Sequence, residues 1–375
     1  MACDFPARID KHFASLTDPR RGKVTYPLIN LIAIAPCAAI AGADDFVAIA
    51  DWARQKRDWL GQFLDLSSGI PSHDRFNALF RMLKPEPFGR CLASWITALH
   101  EVTAGQLVAI DGKTLRRSFD KADAKSALHM VSAWATANKI SLGQVAVAEK
   151  SNEITAIPTL LGLLELQGAL VTIDAMGCQA EIAGKIIEGK ADYVLAVKAN
   201  QPTLHTGIME LFLDHMEDDF ARLKVGRHET KEKGHGREEH RTYYVCDVPD
   251  DLPDASRWAG LKRIGVAISD TTRGGKPCDD VRYYITSKRL SARGFGAAVR
   301  GHWGIENSLH WQLDMSFGED RSRVRKDHAD ANMAAVRRLA LGLLKNEVSK
   351  KVGIKNKRLV AAWNMDYLRQ VLFGA

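Results

Sequence analysis

No two of the six cysteines (Cys3, Cys37, Cys91, Cys178, Cys246, Cys278) form a CxxC pair. That absence excludes a thiolate zinc site and a disulfide framework, and it suits a reducing compartment. Long hydrophobic runs are missing as well. The longest apolar stretch, Pro27 to Ala43, is Ala-rich, is interrupted by Asn30 and Pro36, and is too short for a membrane span. It predicts a buried helical hairpin. The chain does not open on a charged segment followed by an apolar one, so no signal peptide is expected. A soluble, cytosolic protein with no membrane partner is the expectation.

What is present is an ordinary globular mixture, 46% hydrophobic and 26% charged, long enough at 375 residues for two or three domains. The formal net charge of +7 is local in origin. From Arg321 to Arg358 there are twelve Lys/Arg against three acids, Asp327, Asp330 and Glu347. Such a run is either a solvated face or, beside a carboxylate site, a footprint for a phosphate backbone.

The pattern along the chain changes four times. Residues 1–100 read as helical; "SHDRFNALFRML" sets Phe76, Leu79, Phe80 and Leu83 on one face, with Ser72 as N-cap. From 101 to 205 strands dominate. "LVAID", "LHMVSAWAT" and "LGQVAVAEK" come first, followed by a helix from Pro158 to Gly168, the strand "LVTID", the helix "CQAEIAGKIIEGK" and the strand "DYVLAVK". That order predicts an α/β fold, a mixed sheet flanked by helices. After an amphipathic helix, residues 206–292 read as a β-rich insertion whose "KGHGR" turn is either bare surface or a phosphate contact. Helices return over 293–348, and 349–375 reads as a basic C-terminal tail.

Two apolar strands end in an aspartate, Asp111 in "LVAIDGK" and Asp174 in "LVTIDAMG". One such ending is turn chemistry. Two of them, with a third carboxylate, suit convergence. Phe295, Val299, Trp303, Glu306, His310, Leu313 and Phe317 recur at helical steps, which places Glu306 in an apolar stripe where an unpaired carboxylate is costly. Three hard oxygen donors suit Mg²⁺ or Mn²⁺. Two ions about 3.5–4 Å apart activate a water or a 3′-hydroxyl against a phosphodiester. A competing reading has His302, Glu306 and His310, at i, i+4, i+8, clasping a transition metal, although the chain contains no HExxH.

"AIDGKTLRRSFD", "ALHMVSAWAT", "ALVTIDAMGCQ", "DYVLAVKANQ", "KGHGR" and "VRGHWGIENSLHWQLDMSFGED" resemble the DDE-type insertion-sequence transposases, in the branch of the H-repeat-associated proteins. The resemblance extends to "IPSHDRF" and "KRLVAAWNMDYL" and so covers nearly the whole chain. It implies an RNase H-like core behind a helical transposase-associated domain, with Asp111, Asp174 and Glu306 as catalytic and metal-ligating residues. It further implies two Mg²⁺ (or Mn²⁺) ions, element-end and target DNA as partners, and a homodimer on the DNA. The expected reaction is cleavage at the element's ends and transfer of the 3′-hydroxyls. The alternatives are a metal nuclease without strand transfer and an inactive DNA-binding remnant. The sequence departs from the family pattern at Arg117, where a glycine is expected, and around Glu306, where His302 and Leu313 stand in place of an arginine and a lysine. Candidate DNA contacts are Lys113, Lys198, Lys233, His235, Arg237, Arg300, His302, Trp303, Asn307, Arg321, Arg323 and Arg325.

Overall fold

The computed structural model describes residues 5–99, 106–119, 126–147, 153–234, 237–273 and 276–374. The amino-terminal part holds helices α1 (Phe5–Phe13), α2 (Leu28–Ile40), α3 (Phe46–Gln55), α4 (Arg57–Leu60), α5 (His73–Met82) and α6 (Pro85–Leu99). Strands β1 (Leu107–Thr114), β2 (His129–Ala135) and β3 (Ile140–Val147) follow. Then come α7 (Glu153–Leu161), β4 (Leu170–Ile173), α8 (Ala180–Glu188), β5 (Asp192–Val197) and α9 (Pro202–Met216). Four long strands are next: β6 (Val225–Gly234), β7 (Arg237–Asp247), β8 (Arg263–Arg273) and β9 (Lys276–Thr286). The chain continues through α10 (Ala292–His302), α11 (Trp311–Phe317), α12 (Ala329–Asn346), α13 (Ile354–Trp363) and α14 (Met365–Phe373). A π-helical turn, Glu306–His310, lies between α10 and α11. No helix among the described residues is long and apolar enough to cross a membrane.

Two compact units divide these elements. The first gathers Met1–Thr103, Gly112–Asn152 and Glu306–Ala375; the second gathers Ala104–Asp111 and Glu153–Ile305. In the first, α2 and the long α12 pack together, and α12 also meets α5, α6 and β3. The expected hairpin at Pro27–Ala43 is one helix instead. Pro36 deletes a single backbone bond, and eleven of the thirteen residues of α2 are buried, which offsets that loss. Ser72 does sit at the N-cap of α5, but its side chain makes no capping bond. Residues 349–375 are not a tail. Tyr367, Leu368, Val371 and Leu372 form a buried face on α14, and Lys357 and Arg358 of α13 are buried too. The antiparallel pair β2–β3 completes this unit.

In the second unit the strands run in the order β1-β4-β5-β9-β8-β7-β6. Pairs β1–β4 and β4–β5 are parallel; β5–β9 and all later pairs are antiparallel. This is the mixed sheet that the sequence predicts. Helix α7 begins at Glu153 and contains Pro158, where the sequence suggested a start at Pro158. The β-rich character of residues 206–292 holds, but a separate inserted module does not. Strand β9 pairs directly with β5, Val194 with Thr286 through Val197 with Tyr283, so the four long strands extend the same sheet. Helix α10 lies on this extension, with Phe295 packed among Tyr243, Val245 and Tyr284.

Candidate active site

The parallel register fixes the first two carboxylates. Leu107 to Ile110 of β1 stand opposite Leu170 to Ile173 of β4, residue for residue. Asp111 and Asp174 are therefore the next position on each of two neighbouring strands, which lie about 4.8 Å apart. Strand β1 runs on to Thr114, so Asp111 sits within it and not at its end; what ends there is the pairing with β4. Asp111 is half-buried and Asp174 is exposed. One oxygen of Asp174, Oδ1, accepts the N–H groups of Met176 (3.1 Å) and Gly177 (3.4 Å), the turn chemistry expected of a strand-end aspartate. Lys198 is exposed just past the end of β5, which runs parallel to β4.

His302, at the end of α10, shares a hydrogen bond with Thr172 of β4 through its Nδ1 (3.1 Å). Burial pushes its imidazole below the ordinary range, against the pull of the nearby Asp174 carboxylate. The adjacent Trp303 ring is covered by the guanidinium of Arg282, 4.6 Å from its centroid. Neither Thr172 nor Arg282 was singled out from sequence. The first reads as an ordinary strand residue, and the second reaches Trp303 only through the fold.

Glu306 lies four residues further along the chain and opens the π-helical turn, in the first unit. The expected apolar stripe through Glu306 is not what forms. A π turn takes up an extra residue, and the buried positions become Ile305, Leu309, Leu313 and Phe317. Glu306 and Asn307 are exposed, so the carboxylate pays no burial penalty. The same π turn breaks the regular helical spacing on which the competing clasp of His302, Glu306 and His310 rests. Burial, with Arg338 and Lys113 nearby, drives the His310 imidazole down to about 3.

A buried charge cluster in the first unit accounts for that environment. Glu319, 2% exposed, accepts from Lys113 Nζ (3.1 Å) and from Arg338 Nη1 (3.1 Å). Burial alone raises the Glu319 carboxyl, but Arg338 and Lys113 outweigh it and hold it at about 2. Lys113 also bonds Asp314. It is therefore committed to two carboxylates and is reassigned from DNA contact to structure. Nothing local signals the cluster, because Lys113 and Glu319 are 206 residues apart.

The remaining candidates divide in the same way. Lys233 pairs with Glu238, and Arg300 with Glu232 (2.7 Å). His235 lies outside the described residues, and Arg237 is described only as the first residue of β7. Arg321, Arg323 and Arg325 are exposed. Four of the twelve cations in the basic run are not surface at all: Arg337, Arg338, Lys357 and Arg358 are buried and bonded to carbonyl, hydroxyl or carboxylate oxygens.

Two aspartate carboxylates at one register position are the hard oxygen donors that a divalent ion takes. Among the described residues, no group of three or more His, Cys, Asp or Glu side chains stands as a ready-made metal site.

Comparison with known proteins places the chain in a family. Residues 11–96 match the family model described as DDE_Tnp_1-associated, and residues 103–343 match that of the Transposase DDE domain. YncI of Escherichia coli O157:H7, which carries a transposase name, is 42% identical over 357 residues, 94% of this chain and 91% of its own. YhhI of Escherichia coli K12, named as H repeat-associated, is 38% identical over 378 aligned positions, 98% of each chain. A piggyBac transposase in a synaptic complex with hairpin DNA aligns at 12% identity with a TM-score of 0.42, too slight a likeness to argue from. With a DDE-domain match over 103–343 and relatives this similar along nearly its whole length, the chain belongs to the DDE-type transposases.

Proposed function

We propose that Asp111, Asp174 and Glu306 together hold two Mg²⁺ or Mn²⁺ ions, and that the chain cuts element ends and joins the 3′-hydroxyls to target DNA. The observation that carries this reading is the shared register of Asp111 and Asp174 where β1 and β4 stop pairing. Ligands of parallel sheets gather at the carboxyl ends of the strands; Asp174 follows the end of β4, and Asp111 stands where the parallel pairing of β1 stops. A bound divalent pair supplies Lewis acidity and neutralises charge developing at phosphorus. The chain's own groups do the rest. Asp111 and Asp174 place two negative charges side by side, and Glu306, exposed at the π turn, is the third proposed ligand. His302, anchored to Thr172 and kept neutral by burial, fixes α10 against β4 beside Asp174. An element has two ends, so we take the working unit to be two copies on DNA, in the cytoplasm of a bacterial cell.

The test is nicking of a labelled end fragment in Mg²⁺, run beside a gel-shift titration. Asp111→Asn and Glu306→Gln each keep side-chain size while removing charge. Each should lower cleavage by about 10³-fold or more while DNA affinity holds or rises, and the double variant should be little worse than either, because residues acting as a unit are non-additive. Equal nicking by wild type and both variants would reject the triad. Intact binding with no nicking by the wild type would favour an inactive remnant.

A further inference from the structure

Four large apolar side chains are left exposed in one short stretch near the carboxyl end. Val348 and Val352 lie in the connection from α12 to α13, and Leu359 and Trp363 lie on α13. Val348 is 80% exposed and Trp363 75%. Exposed apolar groups gathered in this way mark an interaction surface. From Val348 to Asn364 the chain also carries five cations and no acid. The whole stretch belongs to the first unit.

This surface is anchored at both ends. Glu347, just before it, pairs with Lys357 (3.3 Å) and accepts the Tyr367 hydroxyl (2.7 Å). Asn364, just after it, caps α14 by accepting the Tyr367 N–H (3.0 Å). Between them Arg358 ties α13 to Asp44 (2.6 Å). Helix α13 therefore turns Lys357, Arg358 and Ala361 inward. Lys355, Leu359 and Trp363, at i, i+4 and i+8, share its outer face.

Two of the five cations, Lys357 and Arg358, are committed to the interior. Lys350, Lys351 and Lys355 are exposed, and none of them has an ion pair among the described residues. Neighbouring acids do not offset them. Glu347 is held by Lys357, and Asp366 stands in the first turn of α14, where the helix N-terminus favours its charge. A second copy presenting the same face would set lysine against lysine, so the charge calls for an anionic partner. Single strands are held by grooves in which successive aromatic rings stack on bases; here one indole stands on an exposed helix face. Lys355 and Trp363 are about 12 Å apart along the helix at 1.5 Å per residue, and the major groove of a duplex is about 12 Å wide. A duplex whose phosphates rest on the lysines would thus have Leu359 and Trp363 against the sugars that border its groove.

We infer that the outer face of α13, with the connection leading into it, binds the sugar–phosphate backbone of duplex DNA. Lys350, Lys351 and Lys355 hold phosphates, and Leu359 and Trp363 pack on sugars. The inference rests on the transposase reading for its choice of DNA but not on the carboxylate triad.

Fluorescence-anisotropy titrations of the full chain with a labelled 30-base-pair duplex, and with one of its strands, test it across a salt series in EDTA, where no cleavage occurs. The variants are K350A/K351A/K355A and W363A. The control, K84A/K224A/K262A, removes the same charge from exposed positions elsewhere. The α13 lysine variant should bind duplex at least tenfold more weakly than the control, and its log–log salt slope should fall by about 2–3, at roughly 0.9 per phosphate. W363A should weaken binding about fivefold at an unchanged slope, because an apolar contact releases no counterions. All variants should melt with the wild type, since each substituted side chain is exposed. Equal affinity and slope in the two triple variants overturn the proposal, as does a greater loss on the single strand than on duplex. Duplex binding that stays intact while the α13 lysine variant loses self-association in sedimentation would make the face a contact between copies, and would also overturn it. A wild type that binds no duplex overturns the transposase reading together with this one. Lysine-dependent binding without nicking in Mg²⁺ would sink the triad and leave the α13 face standing.

Discussion

Glu319 is a carboxylate committed to complete burial, and the residues around it show what that commitment requires. Lys113 and Arg338 supply the charge, and Asp314 shares Lys113. Removing one member of such a set leaves the others buried and unpaired, which costs about 3–5 kcal/mol. Glu319→Gln should lower stability by that order in urea denaturation; a loss under about 1 kcal/mol would mean that the charges are not coupled. The pH dependence follows from the same residues. His310 takes its proton near 6.5 when unfolded but only at about 3 when folded. The unfolded chain therefore binds more protons in that window, and stability falls as the pH drops below about 6.5. Glu319 has a folded pKa of about 2 against 4.5. Its contribution is complete above 4.5 and is lost between 4.5 and 2. The loss between pH 6.5 and 4.5 thus belongs to histidine, and His310→Gln should reduce the fall in melting temperature across that interval. An unchanged fall would remove His310 from the account.

At the scale of elements, glycine shows how closely α10 approaches the sheet. A Cβ on Gly296 would stand 2.8 Å from the Tyr243 ring, and one on Gly265 of β8 would stand 2.8 Å from the Phe295 ring. Gly184 of α8, by contrast, faces open space. Gly→Ala in a helix gains up to about 1 kcal/mol, while overpacking costs about 1–3 kcal/mol. Gly184→Ala should therefore stabilise the protein and Gly296→Ala should destabilise it. The same sign for both in chemical denaturation would contradict the contacts. Elements of this kind were legible wherever the signal is local. The apolar runs in "LVTID" and "DYVLAVK" and the helical spacing in "SHDRFNALFRML" correspond to β4, β5 and α5. Two features were not legible. The π turn at Glu306 shifts the buried face by one residue, which no 3.6-residue period anticipates. The pairing of β5 with β9 joins strands about ninety residues apart, so the long strands looked like an insertion when they are the sheet's continuation.

At the scale of the whole chain, the basic run from Arg321 to Arg358 carries two kinds of cation that composition cannot separate. One kind is exposed on the loop before α12. The other holds segments distant in sequence together, because the first unit is assembled from three stretches of chain. Arg358 is the clearest case. Its guanidinium donates to the Ala39 carbonyl (2.9 Å), the Asp44 carboxylate (2.6 Å) and the Ser316 carbonyl, and it lies 4.0 Å from the centroid of the Phe317 ring. Three partners and a ring contact join the end of α2, the turn that leads into α3 and the end of α11 to α13. Arg358→Ala would leave two carbonyls without their donor and a half-exposed carboxylate, which water can still reach, without its cation. We expect a loss of about 1–3 kcal/mol, read as an earlier first unfolding transition. Lys350→Ala removes the same formal charge from an exposed site and should leave that transition in place. Deleting residues 349–375 should act like Arg358→Ala but more severely, since it also uncovers the buried face of α14's partners. If the truncated chain melts with the wild type, α13 and α14 are the dispensable tail that their sequence resembled.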